Sequence, residues 1–192
     1  MTFITLSQAV TESRRVWSST RAAESQLRKS AAASMDTSFD IFMSHSYEDA
    51  EVISGVKIMI ERSGLMVYVD WVEDAQADRS NVTPETAEML RQRMAHSRFL
   101  LYVSSKASPN SKWMPWELGY FDGLRNDHVG ILPIVQSSGD GFKGQEYLGL
   151  YPPYELLNFT DHGVRLGRRT GASQRTGISH GELLETDARR LF

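Results

Sequence analysis

The sequence predicts a doubly wound α/β fold: a flavodoxin-like, five-stranded parallel sheet with an added N-terminal helix. Three observations carry this. Short apolar runs rich in β-branched and aromatic residues recur along the chain, at 39–44, 65–70, 99–104, 129–136 and 154–159. The segments between the early runs carry helix punctuation, with Ser46, Thr83-Pro84 and Ser111 at the starts and Gly64 at a stop. The first strand, helix and second strand form a βαβ unit, which requires parallel pairing and a right-handed crossover. Repeating that unit gives the expected strand order 2-1-3-4-5.

Taken in order, residues 4–32 read as one helix with a narrow apolar face, and 31–38 as a linker. Phe39 to Ser44 is the first buried strand. Ser46, with Asp49 three residues on, reads as a capping box for a helix through Val52, Ile53, Val56 and Ile60. Leu65 to Asp70 is the second strand, followed by a long polar loop from Trp71 to Val82. Thr83 caps the next helix and Pro84 takes its first position. Phe99 to Ser104 is the third strand. Pro109-Asn110-Ser111 turns the chain into a helix that places Pro115 in its first turn, where proline costs least. Val129 to Gln136 is the fourth strand, with Pro133 marking a local irregularity or an edge. Tyr154 to Phe159 is the short fifth strand. Residues 165–177 read as a basic, glycine-rich mobile stretch, and Ser179 with Glu182 as the cap of a last helix. Three regions follow: an N-terminal helical extension (1–35), the α/β domain (36–160) and a basic C-terminal extension (161–192).

Composition narrows the functions. The net charge of -3 is uneven: +3 over residues 1–35, -8 over 36–160 and +2 over 161–192. An acidic central block argues against a nucleic-acid-binding core. There is no cysteine, which excludes disulfides, thiol nucleophiles and thiolate metal sites and fits a cytoplasmic setting. No apolar run is long enough for a membrane span, and no secretory signal is expected. The five histidines are scattered, so no metal site is expected. No Ser-His-Asp order or Walker loop is present. A phosphoacceptor receiver shares this fold, but Ser44-His45 stands where its acidic pair belongs.

In doubly wound sheets, ligands sit outside the carboxyl ends of the strands. Those ends are Ser44-His45-Ser46, Asp70-Trp71 and Ser104-Ser105. The helix from about Ser111 approaches the same edge. Its spacing puts Trp113, Glu117, Tyr120 and Leu124 on one stripe. A carboxylate on an apolar stripe loses hydration, and such groups concentrate at active sites. The plainer alternative is a glutamate at the stripe's edge that reaches water or an arginine.

Three segments here resemble TIR (Toll/interleukin-1 receptor) domains. Phe39-Asp40-Ile41-Phe42-Met43-Ser44-His45 is similar to their first box. Gly64-Leu65-Met66-Val67-Tyr68-Val69-Asp70 is similar to the strand that opens into their BB loop. Ser111-Lys112-Trp113-Met114-Pro115-Trp116-Glu117-Leu118 resembles the Ser-x-Trp-x-x-x-Glu segment of TIR domains that cleave NAD. The loop after Asp70 lacks the proline and glycine common in receptor TIR domains, which points away from receptor-style signalling.

The resemblance implies that Glu117 is catalytic and that NAD is a substrate, with no bound cofactor. The absence of a Gly-x-Gly-x-x-Gly fingerprint agrees with the second point. The substrate-binding candidates are Trp113, Ser44, His45, Asp70, Trp71, Ser104 and Tyr120. Several keep two roles open. Trp113 either stacks on a base or packs in the core. His45 bonds a phosphate or ribose, or caps a turn. Asp70 meets substrate or holds the loop, and Trp71 closes over ligand or mediates self-association. The product is ADP-ribose, a cyclic isomer or a transferred ADP-ribose. The setting the resemblance implies is bacterial antiphage immunity, with self-association through the BB-type loop and a separate effector protein that responds to the product. The competing class is a non-enzymatic TIR module that scaffolds assemblies.

Overall fold

The computed structural model describes residues 3–31, 36–70, 83–160, 163–169 and 175–178. The chain opens with β1 (Ile4–Thr5), α1 (Leu6–Val16) and α2 (Thr20–Ala31). It continues with β2 (Phe39–Ser44), α3 (Ala50–Glu61), β3 (Val67–Val69), α4 (Pro84–Ala95) and β4 (Ser97–Ser104). Next come α5 (Trp113–Leu124), β5 (Val129–Val135), β6 (Tyr154–Thr160), β7 (Gly163–Arg169) and β8 (Arg175–Ile178). The main sheet has five parallel strands in the order β1-β5-β4-β2-β3.

Period-two alternation in the strands separates two cores. Ile41 and Met43 of β2, with Leu101 and Val103 of β4, face Ile53, Val56, Met59 and Ile60 of α3. Phe42, Tyr68, Leu100 and Tyr102 point the other way, onto Leu90 and Met94 of α4 and Met114, Leu118 and Phe121 of α5. Strands buried on both faces read as continuous apolar runs, and that is how these read in the sequence. Several punctuation marks act as expected. Thr83 Oγ1 accepts from the Thr86 N–H with Pro84 in the first turn. Gly64 stops α3 at φ +85°, a region open to glycine.

Four of the five sheet positions follow the expected order, and the fifth does not. Residues 154–159 form a strand, but it does not complete the main sheet. The chain makes one parallel bridge, Ile131 to Pro153, and β6 then pairs antiparallel with β7, which pairs with β8. The stretch 165–177, expected to be a mobile glycine-rich segment, contributes to both of those partners. The vacant edge of β5 is taken by β1, with Ile4 opposite Ile134 and Thr5 opposite Val135. Pro133 falls between the Ile131 bridge to Pro153 and the pairing of Ile134 with Ile4. The Ile131 N–H bonds the Pro152 carbonyl, so the nitrogen of residue 133 faces the same side, where no ladder bond is required.

The N-terminal segment is two helices rather than one. Thr5 and Gln8 form a capping box that starts α1 right after β1. Trp17 is extended, and Ser19 Oγ accepts from the Ala22 N–H to restart the helix, as serines before a helix do. This arm packs into the molecule: Ile4, Ala9 and Leu27 belong to the α3-side core. Gly55 of α3 permits the approach, since a Cβ there would lie 1.9 Å from the Ala9 carbonyl oxygen. Buried Glu12 pairs with Arg15 and with Arg62 at the end of α3, the latter at 2.7 Å. The last helix expected after Ser179 lies outside the described residues. Among the described residues, no helix is long and apolar enough to cross a membrane.

Candidate functional site

The register aligns the strand ends. Ser44 lies opposite Tyr102, and Met43 opposite Val69, so Ser44 and Asp70 sit level on adjacent strands. Ser104 ends β4 two residues beyond that level. The strands run parallel, and Phe42, Tyr68 and Tyr102 face α4 and α5. By alternation Ser44 and Ser104 present to that same face.

Glu117 comes down onto this edge from α5. Ser44 Oγ donates a 2.5 Å hydrogen bond to Glu117 Oε2, and both side chains are buried, Glu117 being 5% exposed. The carboxylate acts on two tyrosines of the same face. The Tyr68 hydroxyl is pushed up in pKa by burial first, then by Asp70, with Glu117 adding to it and Arg93 opposing. The Tyr102 hydroxyl is pushed up by burial first, then by its bond to Tyr147, with Glu117 again contributing. Arg93 of α4 is buried with its guanidinium 5.0 Å from the Tyr68 ring centroid. The site is therefore a buried carboxyl group that accepts a hydrogen bond from a strand-end hydroxyl, on the sheet face that also carries Tyr68 and Tyr102.

The loop that launches α5 is pinned beside the turn after β2. Ser105 Oγ donates to Asp49 Oδ2 at 2.5 Å, the Ser105 N–H donates to Ser108 Oγ, and Ser108 Oγ donates to the Val103 carbonyl. The expected Ser46–Asp49 capping box is absent for this reason. Ser46 Oγ accepts from the Glu48 N–H, and Asp49 reaches across to Ser105 instead. Burial pushes the Asp49 carboxyl above its ordinary value, with the Ser105 bond opposing and Glu48 adding.

The expected stripe on α5 is rotated. Its buried residues are Met114, Glu117, Leu118 and Phe121, while Leu124 is 44% exposed. The helix begins at Trp113, two residues later than expected, although Ser111 Oγ still accepts from the Met114 N–H. Trp113 and Tyr120 are half-buried and belong to an aromatic ladder whose middle rung, Trp116, the sequence reading did not single out. Trp113 stands edge-on to Trp116, and Trp116 stacks on Tyr120 at 5.6 Å, with the Arg91 guanidinium over both. The i, i+3 and i, i+4 spacing of 113, 116 and 120 is the signal that marks this ladder.

His45 is buried just past Ser44, with its Nδ1 3.0 Å from the Met43 carbonyl. Asp70 and Ser104 are half-buried at the edge. Trp71 and the loop to Val82 lie outside the described residues. Among the described residues, no three His, Asp or Glu side chains converge to hold a metal.

The chain is 31% identical over 83 residues to the Putative cyclic ADP-D-ribose synthase TIR2 of Cytobacillus dafuensis, a match covering 43% of this chain and 22% of that protein. It is 56% identical over 115 residues to the Probable 3' cyclic ADP-D-ribose synthase ThsB' of Bacillus cereus (strain MSX-D12), covering 59% of each. Both likenesses agree with the resemblance of the three sequence segments to TIR domains. No family model matches it. The aligned part spans about three fifths of the Bacillus cereus protein's length and about a fifth of the Cytobacillus protein's. The α/β domain has the strand order β3-β2-β4-β5, with the glutamate helix α5 entering its carboxyl edge. The N-terminal arm that fills the fifth strand position is built onto it.

Proposed function

We propose that this TIR domain breaks the bond between nicotinamide and ribose in NAD and closes the ADP-ribosyl group into a cyclic product. The observation that carries the reading is Glu117, buried at the carboxyl edge of a parallel sheet and held by Ser44. The names of the two relatives, both cyclic ADP-D-ribose synthases, support the cyclic outcome.

The chemistry suits one carboxylate. Nicotinamide in NAD carries a positive charge and departs as a neutral pyridine, so no general acid is required. The ribose passes through an oxocarbenium-like state, as in glycoside hydrolysis. A preorganised negative charge in a water-poor site stabilises that state more than the ground state. In this reading Glu117 supplies the charge, and Ser44 fixes its direction. Trp113, Tyr120, His45, Asp70, Trp71 and Ser104 are the proposed contacts for the rest of the dinucleotide. NAD is consumed as substrate, and no cofactor is called for.

The proposal extends to setting. The protein acts in the cytoplasm, self-associates through the 71–81 loop and passes its product to a separate effector in antiphage defence. Incubating purified protein with NAD and identifying the product by mass tests the core of this. Release of nicotinamide together with a product of the mass of ADP-ribose less one water supports cyclisation. No nicotinamide release at any protein concentration returns the chain to a scaffolding role.

A further inference from the structure

A cleft of about 420 Å³ opens at the amino edge of the main sheet, at the other end of the strands from Ser44 and Glu117. Its walls come from strand beginnings and helix ends: Phe39 and Asp40 of β2, Met66 just before β3, His96 just after α4, Arg98 of β4 and Arg125 just after α5. The volume falls among those of small-molecule sites, roughly 300–1,000 Å³. Residues 36–160 carry a net charge of -8, yet the described residues lining this cleft set two arginines against one acid, Asp40. Asp40 is already engaged. Its Oδ2 accepts from the Met66 N–H at 2.8 Å, and its Oδ1 stands 3.7 Å from Arg98 Nη1. Arg125 makes no ion pair among the described residues. Its Nη2 donates to the Ala95 carbonyl at 3.2 Å, and its buried Nε has no acceptor among the described residues. Met66 is 50% exposed, while its neighbours Leu65 and Val67 are buried.

We propose that this cleft binds a small phosphate-bearing organic molecule, its phosphate on Arg125 and Arg98 and its apolar body on Met66. A guanidinium is a planar fork of donors that matches phosphate oxygens, and it keeps its charge at any physiological pH. An anion in the cleft gives Arg125 the acceptors that the protein withholds, and a donor left without one is costly. The two arginines come from different elements, β4 and the end of α5, so one phosphate can draw on both. The surplus of positive charge disfavours a cation. An inorganic anion alone leaves Met66 in water, whereas an apolar or aromatic body covers it. A mostly apolar wall with a few polar anchors is the usual makeup of a small-molecule site. The cleft shares no residue with the site around Glu117, so the proposal stands apart from the reading of NAD cleavage.

The test reads the cleft directly. The full chain is labelled at its methionine methyl groups, and the Met66 resonance is assigned from its loss in Met66→Leu. That resonance is followed by NMR while AMP, adenosine or inorganic pyrophosphate is added, with melting temperatures on the same preparations. AMP should shift it saturably and bind several-fold tighter than adenosine, which lacks the phosphate, or pyrophosphate, which lacks the body. Arg125→Gln should raise the Kd for AMP by about tenfold or more, the scale of one charge-assisted hydrogen bond, and Arg125→Lys should fall between. Asp40→Asn keeps an oxygen for the Met66 N–H and removes the lining acid, so it should bind AMP more tightly than the wild type. Should Asp40→Asn fail to fold, the order of wild type, Arg125→Lys and Arg125→Gln decides by itself, since Arg125 lies half-buried past a helix end. No saturable shift with AMP, equal binding of adenosine or pyrophosphate, an unchanged Kd in Arg125→Gln, or weaker binding by folded Asp40→Asn overturns the proposal.

Discussion

At the scale of residues, the sharpest contrast is between charge and packing at position 117. Glu117→Gln keeps volume, and its amide oxygen still accepts from Ser44. Only the negative charge goes. Loss of one preorganised electrostatic group costs about 10²–10³ in rate, so nicotinamide release should fall at least that far. The melting temperature should hold or rise, because a desolvated charge is relieved. A glutamate that only packs predicts a lower melting temperature, with release proportional to folded protein. The carboxylate itself was legible, because a charged residue between bulky apolar neighbours at helical spacing stands out. Its partner was legible only as a strand end. That Ser44 is the donor depends on how far α5 leans over the sheet, and no spacing along the chain encodes that angle. Trp116 was passed over because the assumed stripe was rotated relative to the buried face.

Two connections are tied at the scale of elements, the turn between β2 and α3 and the loop between β4 and α5. The tie is the Ser105 to Asp49 bond, between residues 56 apart in sequence. Its sign with pH follows from Asp49, whose carboxyl burial holds above its ordinary value of 3.8. A carboxyl raised by folding binds its proton more tightly in the folded state. The ionised form therefore costs stability above the folded value, and this cost disappears as pH falls through that value toward the unfolded one. Asp49→Asn keeps an acceptor for Ser105 and removes the charge. It should melt at or above the wild type at pH 7, and the advantage should vanish near pH 3, measured by thermal unfolding at both pH values. A variant that melts several degrees lower at pH 7 shows that the charge itself holds the loops together. The three helices of the α/β domain and four strands were readable because caps, glycine stops and apolar runs are local signals. The fifth strand was not, because strand pairing is a choice between partners. Residues 154–159 had β-forming character, but pairing with β7 satisfied them, and a two-residue strand at the N-terminus is too short to show a period.

At the scale of the molecule, the question is whether the N-terminal arm is an appendage or part of the fold. β1 covers the edge of β5, Phe3 and Ile4 are buried, and α1 lies on α3. An uncovered β5 edge leaves unpaired backbone groups open to other chains. Three further contacts join the arm to α3. Arg14 pairs with Glu51 at 3.0 Å, Thr20 Oγ1 donates to Glu51 at 2.7 Å, and Arg62 reaches Glu12. The exposed Arg14 pair adds little by itself, since such pairs are worth about 0–1 kcal/mol. The close approach at Gly55 decides the matter, because it makes one substitution report with opposite signs. In a helix interior, glycine to alanine gains roughly 0.5–1 kcal/mol from backbone propensity. An arm that merely hangs from the domain leaves that gain intact, and Gly55→Ala then melts higher than the wild type. A docked arm forbids it, since the new Cβ falls 1.9 Å from the Ala9 carbonyl oxygen, a contact with backbone that cannot move aside without shifting α1. The expected outcome is a loss of stability and, as α1 is pushed off and β1 follows, concentration-dependent aggregation through the freed β5 edge. Deleting residues 1–31 should produce that aggregation without the substitution. A Gly55→Ala protein that melts higher and stays monodisperse by light scattering shows the arm to be dispensable.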